Sequence, residues 1–271
     1  MDQKPTTGPS KGYLIAHGGG RISRDGMFRD VFTGIAGGCD CGLIYIPTAL
    51  SDEQLEGRQK RHLDPDYARA LFGFGNVTVL HTRDRKQADS EEFIMPLTEA
   101  GAVFISGGRQ WRLADSYLGT RTHEELIRLL GRGGVIAGIS AGATIQGSLL
   151  IRANSRPDDN KIMIGDHQEG FGFIKNVAID QHLLKLERQF DMPRVFDRYP
   201  DLLGIGIDED TFISVTGNEM SVFGSGYVTA LDGPLIKGQS GRFTDLHAQL
   251  DGYRLLRHGD RYDLKKREKI N

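Results

Sequence analysis

Val135-Ile136-Ala137-Gly138-Ile139-Ser140-Ala141-Gly142-Ala143 sets an apolar run directly against a serine flanked by small residues. The run reads as a strand over residues 135–139, and the stretch beyond it reads as a helix. Gly138-Ile139-Ser140-Ala141-Gly142 is then Gly-x-Ser-x-Gly on a strand-to-helix turn. Such a turn holds one hydroxyl in a tight, exposed bend. Gly138, Ala141 and Gly142 let a substrate carbonyl approach, and the N–H after the serine faces the anion that forms there. Ser140 is the candidate nucleophile. The other reading of the same pattern is a small-residue turn needed only for packing.

Outward from this stretch, short apolar runs alternate with helical patterns. Residues 13–16 read as a strand ending in His17-Gly18-Gly19-Gly20. Phe28, Val31, Phe32 and Ile35 recur at helical spacing and close at Gly37-Gly38. Strands are expected at 43–46, 77–80 and 102–105. Ser51 with Gln54 forms a capping box, and Asp64-Pro65 opens a helix with proline in its first turn. A helix follows from about Ser90, and Thr122 with Glu125 predicts a further capping box for a helix running to Gly131. Strands separated by helices, each apolar throughout, argue for an α/β fold with a mostly parallel sheet sandwiched by helices. After Ser148 the pattern changes. Residues 152–161 form a polar loop, 177–180 a strand, and a helix is expected after His182. Residues 204–262 read as a β-rich C-terminal part, with turns at Gly217-Asn218 and Asp232-Gly233-Pro234. The division is a flexible leader over 1–11, one α/β domain over 12–262 and a solvated basic tail over 263–271.

Composition narrows the class. The chain has 271 residues, a net charge of −2 and a pI near 6.5. Without a basic excess, nucleic acid is not an expected partner. No run approaches the roughly 18 apolar residues of a membrane span. The polar first eleven residues carry no secretory h-region, so the expected location is cytoplasmic. Cys39 and Cys41 lie too close in sequence for an unstrained disulfide and are expected to be reduced. They are too few for a zinc cluster, and no metal or organic cofactor is expected. Neither nucleotide motif, Gly-x-Gly-x-x-Gly nor Gly-x-x-x-x-Gly-Lys-Ser/Thr, is present at a strand–helix junction.

A serine nucleophile needs a base, and the base needs a partner that fixes its tautomer. Of eight histidines, His182 has the best setting, just past a strand end in Asp180-Gln181-His182, where parallel-sheet proteins gather their sites. Two sets of acids compete for the third position. Asp158 and Asp159 lie in the loop between Ser140 and His182, while Asp208, Glu209 and Asp210 follow the apolar run 203–207. Sequence does not rank them. A second oxyanion donor is expected from Ser106-Gly107-Gly108-Arg109-Gln110, where glycine N–H groups are unobstructed. Gln110 suits a substrate amide. His17-Gly18-Gly19-Gly20 is similar to a lipase oxyanion loop, but only 42 residues separate Ser140 from His182. A tight turn is the simpler account of those glycines.

Four motifs in order resemble one family. They are Phe104-Ile105-Ser106-Gly107-Gly108-Arg109-Gln110, Gly138-Ile139-Ser140-Ala141-Gly142-Ala143, Asp180-Gln181-His182 and Gly204-Ile205-Gly206-Ile207-Asp208-Glu209-Asp210-Thr211. Together they are similar to the cyanophycinase-like serine peptidases of family S51, over about residues 12–232. The resemblance implies a class I glutamine amidotransferase-like (flavodoxin-like) fold with a nucleophile elbow, and a homodimer. It implies Ser140 as nucleophile, His182 as base and Asp158 as the acid, with Gln110, Asp180 and Gln181 lining the substrate site. Its substrates are peptides or polymers with aspartyl linkages. Two departures stand out. The family's threonine before the serine is Ile139, and Arg109 replaces an aspartate. The arginine-rich stretch after the histidine is reduced to Lys185 and Arg188, and lysine does not replace a planar guanidinium clamp. The resemblance therefore points to a related aspartyl or isoaspartyl peptide rather than to cyanophycin itself.

The expected chemistry is acyl transfer to water. Ser140 attacks the amide carbonyl, and the N–H groups of Gly108 and Ala141 hold the oxyanion. Arg109, Lys185 or Arg188 binds a substrate carboxylate. Two other readings stay open: an amidase or acyl transferase using the same triad, and a non-catalytic binding protein on a degenerate peptidase fold.

Overall fold

Each apolar run named above forms a strand, because its successive side chains face two different hydrophobic layers. The computed structural model describes residues 6–57, 60–156, 161–236 and 252–271. The strands are β1 (Tyr13–His17), β2 (Leu43–Ile46), β3 (Val77–Val79), β4 (Ala102–Ile105), β5 (Val135–Ile139), β6 (Val177–Gln181), β7 (Leu203–Ile207), β8 (Thr211–Thr216), β9 (Glu219–Gly224), β10 (Val228–Asp232), β11 (Tyr253–Leu256), β12 (Arg261–Asp263) and β13 (Glu268–Ile270).

Among the described residues these build two sheets. The larger has nine strands in the order β13-β12-β9-β8-β1-β5-β4-β2-β3. From β1 to β3 all neighbours run parallel. From β1 to β13 they run antiparallel. The expected parallel sheet is thus a block of five strands, extended by β8, β9, β12 and β13 from the C-terminal third of the chain. A second sheet, β11-β10-β7-β6, contains the parallel pair β6–β7.

Alternation along the strands explains why none of the five parallel strands reads as amphipathic. Leu14, Ile44, Val103 and Ile136 face one layer, with Leu97, Leu113, Leu126 and Leu129 from helices Glu91–Glu99, Gln110–Tyr117 and Arg121–Gly131. Ile15, Tyr45, Phe104 and Ala137 face the other, with Phe28, Phe32 and Phe72 from helices Gly26–Ile35 and Pro65–Phe72. The second sheet adds Val177, Ile179, Ile205 and Val228 to the first layer.

Local start signals hold at several helices. Ser51 and Gln54 form the reciprocal capping box, and Asp64 caps a helix with Pro65 in its first turn. Asp25 caps Gly26–Ile35 by accepting the Phe28 N–H.

Four expectations need correction. Thr122 and Glu125 make no capping box, since Thr120 is the cap residue of that helix. The buried Thr122 hydroxyl donates to Ala88 O (2.6 Å), while Glu125 pairs with Arg128 and Arg132. No regular helix follows His182. Positive φ at His182 and Glu187 breaks the chain into turns, and a helix first forms at Pro193–Phe196. The end of the chain is not a frayed tail, because its backbone completes the ladder β12–β13. Within the expected leader, the Thr7 N–H donates to Asn218 Oδ1 (2.9 Å) and the Gly8 N–H to Gly217 O (2.8 Å). Cys39 and Cys41 are both free. No helix among the described residues is long and apolar enough to cross a membrane.

Candidate active site

The register of the parallel block brings three strand ends to one edge. His17 lies beside Ile139, and Ile105 beside Gly138. The segments after β1, β5 and β4 therefore meet. Ser140 turns out of β5 with φ 54° and ψ −111°, a conformation strained for any residue but glycine. The Gly-x-Ser-x-Gly spacing has a steric cause. A Cβ at Gly138 would lie 2.1 Å from Gly142 O, and one at Gly142 would lie 2.2 Å from Ile105 O. The elbow closes only because both positions lack side chains.

His182 leaves β6 with φ 54°. Its N–H donates to Gly18 O (2.9 Å), and its imidazole lies over Gly19, where a Cβ would sit 2.1 Å from Cε1. Nε2 is 3.0 Å from Ser140 Oγ. Nδ1 is 2.7 Å from Glu209 Oε1. An ionised carboxylate can only accept, so Nδ1 carries the proton and Nε2 is left as acceptor for the serine hydroxyl.

The acid on the histidine among the described residues is therefore Glu209; the expected Asp158 lies outside the described residues together with Asp159. The parallel pairing of β6 with β7 is the cause. Gln181 sits opposite Ile207, so residues just past the two strands are neighbours. The adjacent acids have other partners. Asp208 accepts the Leu184 N–H (3.1 Å), and Asp210 Oδ1 accepts the Arg21 N–H (3.4 Å).

The glycines after β1 are more than a tight turn. They form the surface on which His182 and Asp210 rest. His17, wholly buried and stacked on Phe212, braces them. Its Nδ1 accepts the Gly19 N–H (3.1 Å), and its Nε2 faces Asp25 Oδ2 (3.1 Å). Burial works to raise the Asp25 pKa, but the His17 bond and the Phe28 N–H outweigh it and hold the carboxyl below its usual range.

The two expected oxyanion donors flank the serine. Gly107 runs so close that a Cβ there would lie 3.3 Å from Ser140 Cβ, and Gly108 follows at φ 137°. Ala141 is the first residue of the short helix Ala141–Thr144. Among the described residues, neither the Gly108 nor the Ala141 N–H donates to a protein acceptor.

Several residues expected at the substrate are instead in the interior. Gln110 is 1% exposed, and its Nε2 donates to Ile151 O and Arg152 O (2.9 and 2.8 Å). Asp180, also 1% exposed, binds Arg152 through two contacts of 2.8 Å. Arg152 reaches Asp191 as well (2.7 Å). Burial opposes the Arg152 charge, but the two carboxylates more than offset it and raise its pKa. Arg188 is buried and donates to Gln181 O and Oε1 (3.0 and 3.1 Å). Burial and the nearby Arg152 lower its pKa. These residues brace the turn that presents His182. Lys185 is exposed on that turn, and Arg109 is half-buried at the start of Gln110–Tyr117. Among the described residues, no three His, Cys, Asp or Glu side chains are grouped as metal ligands.

Residues 14–223 match the family model for peptidase family S51. This chain belongs to peptidase family S51. A cyanophycinase from Synechococcus elongatus is 29% identical to it over 262 residues, covering 94% of this chain and 80% of that one. A cyanophycinase from Geminocystis herdmanii is 30% identical over 236 residues, covering 85% of each. A peptidase from an acI-B1 Actinobacterium shares the fold, with a TM-score of 0.67 at 24% identity over 95% of this chain and 98% of that one. A putative peptidase E protein from Listeria monocytogenes superposes with a TM-score of 0.57 at 15% identity, covering 80% of this chain and 100% of that one.

Proposed function

We propose that this chain is a serine peptidase that hydrolyses aspartyl or isoaspartyl (β-aspartyl) peptide bonds through an acyl-enzyme. One observation carries the reading: the hydrogen-bonded path from Ser140 Oγ through His182 to Glu209, at 3.0 and 2.7 Å. Glu209 fixes the tautomer, and His182 Nε2 takes the serine proton as Oγ attacks the amide carbon. The Gly108 and Ala141 N–H groups stabilise the oxyanion. His182 then protonates the leaving amine. Water attacks the resulting ester, His182 takes its proton, and the acid product leaves with the Ser140 hydroxyl restored.

Membership of family S51 and the cyanophycinase relatives support the substrate class. With Arg188 enclosed, Lys185 and Arg109 are the cations of the sequence reading that stand nearer the surface. The same reading includes a class I glutamine amidotransferase-like arrangement of β5 and its elbow, and a cytoplasmic homodimer. The test is hydrolysis of β-aspartyl and α-aspartyl dipeptides by the wild type and Ser140→Ala. The wild type is expected to release aspartate, and the variant to lose at least about 10³-fold in kcat. Equal hydrolysis by both, or none by the wild type on either series, contradicts the proposal.

A further inference from the structure

At Gly20, next to the glycine on which His182 rests, the surface opens into a concavity. It has a volume of about 610 Å³, within the range of small-molecule sites. Arg21, Arg24, Asp25, Glu209 and Asp210 line it. Glu209 thus belongs both to the wall of this cleft and to the triad.

The three carboxylates in that lining are engaged by the fold. Glu209 holds His182 Nδ1 (2.7 Å). Asp25 binds His17 (3.1 Å) and the Phe28 N–H (2.9 Å). Asp210 faces the Arg21 N–H (3.4 Å). Arg21 and Arg24 are exposed, three residues apart across the one-turn helix Ile22–Arg24. Among the described residues, neither guanidinium makes an ion pair, and neither side chain makes a hydrogen bond. The two guanidiniums are therefore the charged groups of this cleft that the fold leaves without a partner.

The chemistry at Ser140 gives the cleft a direction. Gly107, Gly108 and Ala141 flank the serine on the oxyanion side. The leaving nitrogen must lie over His182 Nε2 to receive its proton. His182 rests on Gly19, and Gly20 leads from there to Arg21. We propose that Arg21 and Arg24 bind a carboxylate on the leaving-group side of the scissile bond, so that the protein selects peptides whose released amine carries an acid group. This subsite rests on the peptidase reading of Ser140 and His182. Guanidinium forks match carboxylates in geometry and charge. Two sources present the same chemistry: the terminal carboxylate of a short peptide, and the side chain of a released acidic residue.

Titration calorimetry on Ser140→Ala reads this without turnover. The probes are β-aspartyl-glycine, β-aspartyl-glycinamide and β-aspartyl-glutamic acid α-amide. At least one acid is expected to bind about tenfold or more tightly than the glycinamide, and the preference should weaken as salt is raised. Tight binding of β-aspartyl-glycine assigns the terminal carboxylate. Tight binding of the glutamic acid α-amide assigns the side chain. Adding Arg21→Gln and Arg24→Gln is expected to bring the acid to the Kd of the glycinamide. Equal Kd values for acids and glycinamide, no binding of either acid, or a preference that survives the double substitution would overturn the subsite. Labelling of the wild type by a serine-directed phosphonate separates the two ideas. A protein labelled at Ser140 without an acid preference keeps the peptidase reading and loses the subsite. An unlabelled protein loses the peptidase reading and with it the leaving-group role, while the Kd comparison still decides whether Arg21 and Arg24 bind a carboxylate.

Discussion

Ser140, His182 and Asp210 hold φ values of 54°, 54° and 53°. Each such residue costs on the order of 1–3 kcal/mol and persists only where its surroundings fix it. Here the restraint comes from three consecutive carbonyls. His17 O accepts from Ser140, Gly18 O from His182 and Gly19 O from Asp210. The end of β1 is thus a clamp that sets Ser140, His182 and the residue beside Glu209 in one step. Gly19→Ala places a methyl against the imidazole and is expected to abolish hydrolysis, measured on the same dipeptides. Glu209→Gln removes the charge that stabilises the imidazolium and is expected to lower kcat by about 10²–10⁴-fold. Asp158→Asn is expected to leave kcat near the wild-type value, because Glu209 already occupies Nδ1. A large loss in Asp158→Asn together with none in Glu209→Gln would reverse the assignment. Ser140 and His182 were legible in the sequence because each stands in a local pattern at a strand end. Glu209 was one of five candidate acids, since its role depends on β7 lying beside β6, which no local pattern states. The clamp at residues 17–19 was missed for the same reason: its partners are more than a hundred residues away.

At the scale of elements, the turn after β6 is built by polar groups inside the fold. Arg152, Asp180 and Asp191 form one ion network, and Gln110 and Arg188 tie carbonyls around it. Removing one partner leaves a buried charge uncompensated. Asp180→Ala is therefore expected to reduce stability by about 3–5 kcal/mol in urea unfolding. A loss of activity with unchanged stability would return Asp180 to the substrate site. Polar residues beside a strand end read as ligand contacts in sequence, because sequence does not reveal which buried partner waits for them. Strand and helix positions were far easier to read. Hydrophobic period and caps such as Ser51–Gln54 are local, whereas the Thr122 hydroxyl was claimed by a neighbouring helix.

At the scale of the molecule, the site joins two sheets. The nine-stranded sheet carries Ser140, while His182 follows β6 of the smaller sheet and Glu209 lies on the crossing from β7 to β8. Packing between the sheets is therefore a condition of the proposed chemistry. His123 helps to hold the helix Arg121–Gly131 to the segment between the sheets. It contacts Phe171 O through Nε2 (2.9 Å) and accepts the Gly119 N–H at Nδ1 (3.2 Å). Burial pulls its pKa below 6.5, against weaker opposing effects of Phe171 O and nearby glutamates. The unfolded chain then binds this proton more readily than the fold does. The stabilisation is complete above the unfolded pKa near 6.5 and is lost as pH falls from there through the folded value. Urea midpoints of the wild type are expected to fall below about pH 6.5, and His123→Gln to flatten that fall; an unchanged slope in the variant would contradict this. The most direct test of the central claim, that the two sheets bring together a working serine and base, is intact-mass spectrometry after treatment with a serine-directed phosphonate. The account predicts one adduct per wild-type chain, located at Ser140, and almost none in folded His182→Ala. A folded wild type that takes no adduct, or a His182→Ala variant labelled equally fast, would contradict it.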